Sequence, residues 1–115
     1  MFMMVGEGFA VDGFGEETRV QCELPHIPAW TVSAAAAHGP WMIQPVPNPA
    51  DRMSLSIASW ILENYPDTVT SSGTMFGNFG ATIENKDKVL ASYPQIGFEF
   101  DINLEYNING EDDWT

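Results

Sequence analysis

Residues 96–108 read IGFEFDINLEYNI, and this stretch decides the fold that the sequence predicts. Apolar and polar side chains alternate through it without a break, which is the period of a β-strand with one buried face and one solvated face. Antiparallel sheets commonly divide their faces in this way, so the pattern predicts an antiparallel sheet. The apolar face is predicted to hold Ile96, Phe98, Phe100, Ile102, Leu104, Tyr106 and Ile108.

The strongest helical pattern lies upstream of this strand. Asn48 is a suitable N-cap, Pro49 suits the first helical position, and Tyr65-Pro66 ends the segment. Apolar residues recur between these ends at helical spacing and predict one stripe that packs on the core. The stripe consists of Met53, Ile57, Trp60, Ile61 and Tyr65.

Shorter elements are predicted from turn and periodicity signals. In chain order they are short strands or a loop over 6–15, a strand over 18–24, a short helix over 28–38, a strand over 74–84 and a short helix from Asn85 to Tyr93. Helices and strands are mixed without βαβ regularity. The sequence therefore predicts an α+β fold, in which an antiparallel sheet is joined by one principal helix and one or two short helices.

The length of 115 residues favours a single compact domain over residues 1–115. The single cysteine, Cys22, alternates with Val20 and Leu24, so we expect a buried thiol in a reducing compartment. The sequence has no signal peptide pattern and no apolar run of the ~18 residues that a membrane span needs. A cytoplasmic protein that does not enter membranes is expected.

Net charge restricts the partners more strongly than length does. Sixteen acidic residues against four basic ones give −12, which excludes nucleic acid and anionic membranes as direct ligands. The charge is unevenly placed, because residues 24–50 contain no Asp, Glu, Lys or Arg, whereas residues 89–115 hold six acids and no base. This arrangement favours an acidic surface that has a function in binding. The alternative is that the acids only keep the protein soluble and discourage pairing of strand edges.

The candidate site is a set of carboxylates that would contact a basic partner. Three of them alternate on one strand, where residues two apart advance ~6.8 Å, on a scale comparable with the phosphates of DNA, which rise ~3.4 Å each along one strand. Two lie near the N-terminus beside Arg19, and three belong to the last residues of the chain. The predicted partner-binding residues are Glu99, Asp101, Glu105, Glu111, Asp112, Asp113, Glu16 and Glu17.

In size, acidity, the strand 99–105 and the tail 111–115, the chain resembles phage-encoded anti-CRISPR proteins, in particular the acidic type I-F inhibitors that mimic DNA. The resemblance implies a non-enzymatic inhibitor in the bacterial host cytoplasm. Such an inhibitor occupies the basic site where a CRISPR surveillance complex grips target DNA, and a subunit of that complex is the implied partner. Lys and Arg of the partner would then pair with the carboxylates of the strand and the tail.

Two other functions stay open. An immunity-type inhibitor that masks a basic nuclease site would have the same sequence signature. A weak calcium-binding module would use residues 105–111, where oxygen ligands occupy the first, third and fifth positions of an EF-hand-like loop and Gly110 the sixth. Against calcium, the first ligand is Glu105, the twelfth position lies beyond Thr115, and strand alternation continues into the loop.

Signals for catalysis and for tightly bound cofactors are weak. Cys22 and His26 have a spacing that zinc ligands use, but a closed zinc site needs four ligands and the chain has no second cysteine. No serine lies in a nucleophile motif, and the glycines over 6–15 lack a phosphate-binding lysine. We therefore expect a binding protein, favoured as a monomer, with no metal and no cofactor.

Overall fold

The structure is a computed structural model that describes residues 2–6, 8, 12–46, 49 and 51–111. The chain forms two compact units, Met1–Asp51 and Arg52–Thr115. Each unit has its own strands and helices, and the two are taken in turn. The single domain expected from the length stays a prediction.

The Met1–Asp51 unit is built on short parallel strands. Strand β1 (Met4–Val5) pairs in parallel with β2 (His26–Ile27), and helix α1 (Gly13–Gln21) lies between them in sequence. His26 also forms a parallel bridge with Met42. The His26 N–H donates to the Trp41 carbonyl, and the Ile43 N–H donates to the His26 carbonyl. Strand β2 is thus bonded on both sides.

Helix α1 corrects three predictions. Residues 18–21 of the strand predicted over 18–24 are the end of a helix, on which Glu16 and Arg19, three residues apart, are ion-paired. Cys22 follows the helix as its C-cap and is exposed, so the expected burial of the thiol is wrong. The predicted loop over 6–15 is helical from Gly13 onward.

The short helix predicted over 28–38 is confirmed at its end but not at its start. Helix α2 covers Ala34–His38, and Gly39 follows it as the sequence indicates. The Ser33 hydroxyl caps this helix by accepting a hydrogen bond from the Ala36 N–H at 3.1 Å. This cap sets the start of α2 after Ser33, and residues 28–32 before it are not helical.

The Arg52–Thr115 unit contains the apolar core, centred on Ala58, Val69 and Phe98. Helix α3 covers Ser56–Asn64, so the helix predicted from Pro49 begins later; its proposed cap, Asn48, lies outside the described residues. The predicted stripe is wrong in part, since Ile57 and Trp60 are exposed. The buried line runs through Ala58, Ile61 and Leu62, which have the spacing of one helical face.

A turn divides the strand that was predicted over 74–84. Strand β3 ends at Gly77 (Ser72–Gly77), and helix α4 (Gly80–Ser92) follows, starting before the predicted Asn85. The Thr82 hydroxyl lies within hydrogen-bonding distance of the carbonyls of both Gly77 and Phe79, which holds the turn at the helix start. Sequence periodicity did not reveal this contact between a strand end and a helix side chain.

The last strand is confirmed over a shorter span, but the predicted burial of its apolar face is wrong in part, because Ile102, Leu104 and Ile108 are exposed. Strand β4 covers Phe100–Tyr106, and the residues before it form the 3₁₀ turn Tyr93–Ile96. Gly97 then adopts φ +102°, a left-handed conformation that glycine adopts without steric cost. The chain therefore changes direction within the alternating segment, and pairing begins only at Phe100.

Strand direction is the main correction to the fold. Strand β4 pairs with β3 in parallel, from Ser72 opposite Phe100 to Gly77 opposite Tyr106, with α4 as the connection between them. A parallel pair needs a crossover of a dozen or more residues, and α4 supplies it. The mixture of helices and strands confirms the α+β expectation in its coarse sense, with four α-helices in the described part of the chain. None of these helices is long and apolar enough to cross a membrane.

Candidate functional site

The strand carboxylates of the predicted site are exposed. Glu99, Asp101 and Glu105 all lie on the solvent-accessible surface of the Arg52–Thr115 unit. Ser72 pairs with Phe100 and Gly73 with Ile102, so Asp101 is an extra residue in β4 and forms a bulge. Glu99 precedes β4, and the register shift at Asp101 interrupts the alternation between Glu99 and Glu105. That the three acids share one face stays a prediction.

The remaining acids of the predicted surface differ in exposure where the structure describes them. Glu17 is exposed and accepts a hydrogen bond from the Gln21 side chain at 3.2 Å. Glu111 is half-buried, and one of its carboxylate oxygens accepts the Asn107 N–H at 3.0 Å. Asp112 and Asp113 lie outside the described residues.

Glu16 is not part of an acidic surface. Its side chain is buried and bonded to Arg19, whose Nε donates to one carboxylate oxygen at 2.9 Å and whose Nη2 donates to the other. The guanidinium also donates to the carbonyls of Leu24 and Pro40, the latter at 2.8 Å. Hydrogen bonding to Glu16 raises the pKa of Arg19 above its ordinary value. The pair holds α1 to the chain that surrounds it and is buried away from the outer surface.

Asp12 is a structural residue that the sequence analysis missed. Its two carboxylate oxygens accept the backbone N–H groups of Val32, at 2.8 Å, and Ser33, at 3.0 Å. These contacts tie the start of α1 to the start of α2 within the Met1–Asp51 unit. An aspartate that precedes a helix is the usual signal for a local cap, and here it serves a distant segment instead.

A cavity of about 400 Å³ lies in the Met1–Asp51 unit. Its walls combine exposed aromatic rings with the buried polar groups just described. Phe14 and Trp30 provide the rings, while Asp12, Glu16 and Arg19 provide the charges. The remaining lining residues are Met4, Gly15, His26, Pro28, Thr31 and Ala36. Sequence analysis gave no signal for this cavity, because its walls come from β1, α1 and the segment before α2.

A second, more open cavity of about 330 Å³ lies in the Arg52–Thr115 unit between β3 and α4. The Lys86 ammonium lies 4.9 Å from the centre of the Phe76 ring, and it also pairs with Asp87 at 2.8 Å. Contacts of this kind hold an amphipathic side chain on an aromatic face. These contacts pack α4 on β3, and the second cavity lies where the two elements meet.

The calcium alternative has no support in the described segment. Residues 105 and 106, the first two positions of the loop, belong to β4. Asn107 then accepts the Asn109 N–H with its own side chain at 3.0 Å, which closes a local turn. Within the described residues, no group of three or more His, Cys, Asp or Glu side chains is placed to hold a metal ion.

Comparison with known proteins finds a similarity of fold. No protein-family model matches the chain, and no curated protein matches it. A solved structure with a similar fold is the solute binding protein of an ABC transporter from Rhodopseudomonas palustris BisB5, in complex with 3,4-dihydroxybenzoic acid, with 12% identity and a TM-score of 0.60. The match covers 91% of this chain and 28% of that chain. At this identity the similarity concerns the fold alone, and it does not bear on the resemblance to anti-CRISPR proteins.

Proposed function

We propose that this chain is a small-molecule-binding protein, or a part of one, whose ligand occupies the cavity of the Met1–Asp51 unit. The observation that carries the proposal is a cavity of about 400 Å³ with aromatic walls and a buried ion pair. Ligand sites are typically clefts of about 300–1,000 Å³ with a mostly apolar lining and a few placed polar groups. The similar fold of a solute binding protein solved with a small aromatic acid supports the same class of function.

The polar groups of the cavity favour a ligand that donates hydrogen bonds. Four of the five N–H groups of Arg19 already donate to Glu16, Leu24 and Pro40, so an anionic ligand finds at most one more from this side chain. The Asp12 and Glu16 carboxylates retain acceptor sites, since each carboxylate accepts about four bonds. We expect an aromatic molecule that carries amine or hydroxyl groups, with its ring beside Trp30.

Two ligands that share one ring and differ in charge test this function. Calorimetric titration with 3,4-dihydroxybenzylamine and with 3,4-dihydroxybenzoic acid compares an ammonium with a carboxylate on the same ring. We expect the amine to bind about tenfold more tightly, which corresponds to about 1.4 kcal/mol. If neither compound binds, the cavity is not a site for this ligand class. If the acid binds more tightly, the assignment of the ligand's charge is wrong.

A matched pair of tryptophan variants locates the binding. Trp30 lines the cavity and Trp41 does not, although both are about half exposed in the same unit. Trp30→Ala is expected to abolish measurable binding of the amine, and Trp41→Ala to leave it unchanged. Equal losses in both variants would place the ligand elsewhere.

A second candidate function is the DNA-mimic inhibitor, in which the acidic surface blocks target-DNA binding by a CRISPR surveillance complex. The observation in its favour is the exposure of Glu99, Asp101 and Glu105 in a region of the chain without Lys or Arg. Fixed carboxylates of one sign attract a basic groove and speed its association. Under this function Glu99, Asp101 and Glu105 contact the partner, and Glu16, which is buried, takes no part.

The inhibitor function is tested by DNA binding of a purified type I-F surveillance complex at low and high salt. The wild-type protein should displace the DNA, more effectively at low salt, because salt screens exposed charges. The variant Glu99→Gln, Asp101→Asn, Glu105→Gln should lose that effect. A control with equal charge removed at exposed positions elsewhere, Glu23→Gln, Glu63→Gln, Asp67→Asn, should keep it. Full inhibition by the first variant would exclude the strand as the inhibitory surface.

A further inference from the structure

The outer edge of β3 is open in the part of the chain that the structure describes, where β3 pairs with β4 alone. The Ser72 N–H donates to the Glu99 carbonyl and the Asn78 N–H to the Tyr106 carbonyl, so the even-numbered residues direct their backbone groups towards β4. Backbone groups alternate in direction along a strand. The N–H and C=O groups of Gly73 and Met75 therefore face away from β4, and the edge ends at Gly77, whose carbonyl bonds with Thr82.

The two strands differ in how they protect their edges. Strand β4 carries Asp101 and Glu105, and charged residues on a strand hinder pairing with further strands. Strand β3 reads SGTMFG and has no charge and no proline. It therefore lacks the charged residues and prolines that commonly protect a strand edge.

One face of the sheet is apolar and uncovered beside this edge. Met75 is paired with Leu104 in the register, and Ile102 lies on the same face. The three side chains are 61%, 52% and 55% exposed, respectively. Apolar side chains of a strand added to β3 would extend this row and remove it from water.

We propose that the open edge of β3 binds an extended segment of a partner protein, which adds as a third strand with apolar residues at alternate positions and Lys or Arg between them. Backbone hydrogen bonds to Gly73 and Met75 would supply affinity, and the apolar row would fix the register. The basic character follows from charge, since β4 beside this edge carries Asp101 and Glu105, and a second copy would have the same net charge of −12 and be repelled. This proposal is independent of the ligand cavity.

The test uses a seven-residue peptide of alternating lysine and valine, labelled for fluorescence anisotropy, with the full chain. Amide exchange measured by NMR locates the contact. In the free protein, the Thr74 and Phe76 amides should exchange slowly and those of Gly73 and Met75 rapidly. Saturating peptide should slow Gly73 and Met75 at least tenfold and leave the other two unchanged.

Matched probes separate strand addition from charge attraction. A peptide of the same composition with its three valines adjacent keeps the charge and loses the alternation, and N-methylation of alternate amides removes the hydrogen bonds of one peptide edge. The rearranged peptide should bind at least tenfold more weakly than the alternating peptide. Of the two N-methylated peptides, the one methylated on the edge that faces β3 should also bind at least tenfold more weakly. Met75→Pro, which removes an outward N–H, should weaken binding, while Met75→Val should retain it.

Three outcomes would overturn the proposal. One is peptide binding without slower exchange at Gly73 and Met75. Another is equal binding of the alternating peptide, the rearranged peptide and both N-methylated peptides. A third is slow exchange at both residues in the free protein that disappears on dilution, with a dimer in sedimentation, since the occupant would then be a second copy. None depends on Trp30, so failure of the small-molecule function would leave this test intact.

Discussion

The two compact units of the chain bury different kinds of side chain. In the Met1–Asp51 unit, buried polar groups among the described residues include the Glu16–Arg19 pair, His26, Thr31 and Ser33. In the Arg52–Thr115 unit, the centre is Ala58, Val69 and Phe98, with further aromatic rings packed against them. The contrast is one of proportion, since the first unit also buries Val32 and Ala36 and the second also buries Lys88 and Ser92.

This difference predicts how substitutions should destabilise each unit. A buried charge that loses its partner keeps its full desolvation cost. A polar interior is therefore sensitive to the removal of one side chain from a bonded pair. An apolar interior loses contact and leaves a cavity, at a cost that depends on how far its neighbours relax. The predictions below test whether the two units respond separately.

The largest effect in the Arg52–Thr115 unit is expected from Phe98→Ala. Phe98 is buried, and its ring lies 5.4 Å from Tyr93 and 6.1 Å from Phe100, measured between ring centres. Removing it should cost about 3–5 kcal/mol of unfolding free energy. Hydrogen exchange followed by mass spectrometry should show lost protection within residues 52–111. Equal loss within the Met1–Asp51 unit would mean that the two units unfold together and would break the comparison.

A comparable effect in the Met1–Asp51 unit is expected from Arg19→Ala. The substitution leaves the buried Glu16 carboxylate without its cation, which typically costs about 3–5 kcal/mol. Protection against hydrogen exchange should fall over α1 and α2 and stay unchanged over α4. The double variant Arg19→Met, Glu16→Leu should recover part of the stability, because it removes both charges. No recovery would mean that the pair is not the main contribution of Arg19.

A smaller effect is expected from Asp12→Ala, which removes two hydrogen bonds to the buried residues Val32 and Ser33. The cost should be about 1–3 kcal/mol, the range for leaving buried donors unsatisfied. Urea unfolding measures it. Asp12→Asn should cost less, since the amide oxygen still accepts one bond. An unchanged midpoint for Asp12→Ala would show that water replaces the carboxylate.

The smallest effect is expected from Glu17→Gln. Glu17 neighbours Glu16 in sequence but is exposed, and its one hydrogen bond is to the Gln21 side chain. Surface substitutions of this kind change stability by less than about 0.5 kcal/mol. Thermal unfolding of this variant is the control for the Arg19 experiment. A loss as large as that of Arg19→Ala would show that the contrast between buried and exposed acids is incorrect.

Local pattern predicted the existence of several elements. The alternation of 96–108 led to strand β4, and Gly39 marked the end of α2, because both signals depend on neighbouring residues. The same kind of pattern misled over 18–24, where Val20 lies in a helix that ends at Gln21 and Cys22 and Leu24 follow it. The Glu16–Arg19 spacing was the competing helical signal, and it prevailed because the pair is buried.

The candidate site was less predictable than the fold. Exposure of Glu99, Asp101 and Glu105 followed from their polar positions in the alternation. The register shift at Asp101 did not, because it exists only in the pairing with β3. The cavity beside Trp30 had no sequence signal, since residues far apart in the chain form its walls.

The sequence by itself determined the net charge of −12, its concentration in residues 89–115 and the mixture of helix and strand, because these depend on composition and short-range periodicity. Only the tertiary structure decided that the strands are parallel, that Glu16 is buried and that an edge of β3 is open. Each of these depends on which distant segment a residue meets. Strand direction is set by the path of α4, and the burial of Glu16 by the contacts of Arg19 with Leu24 and Pro40.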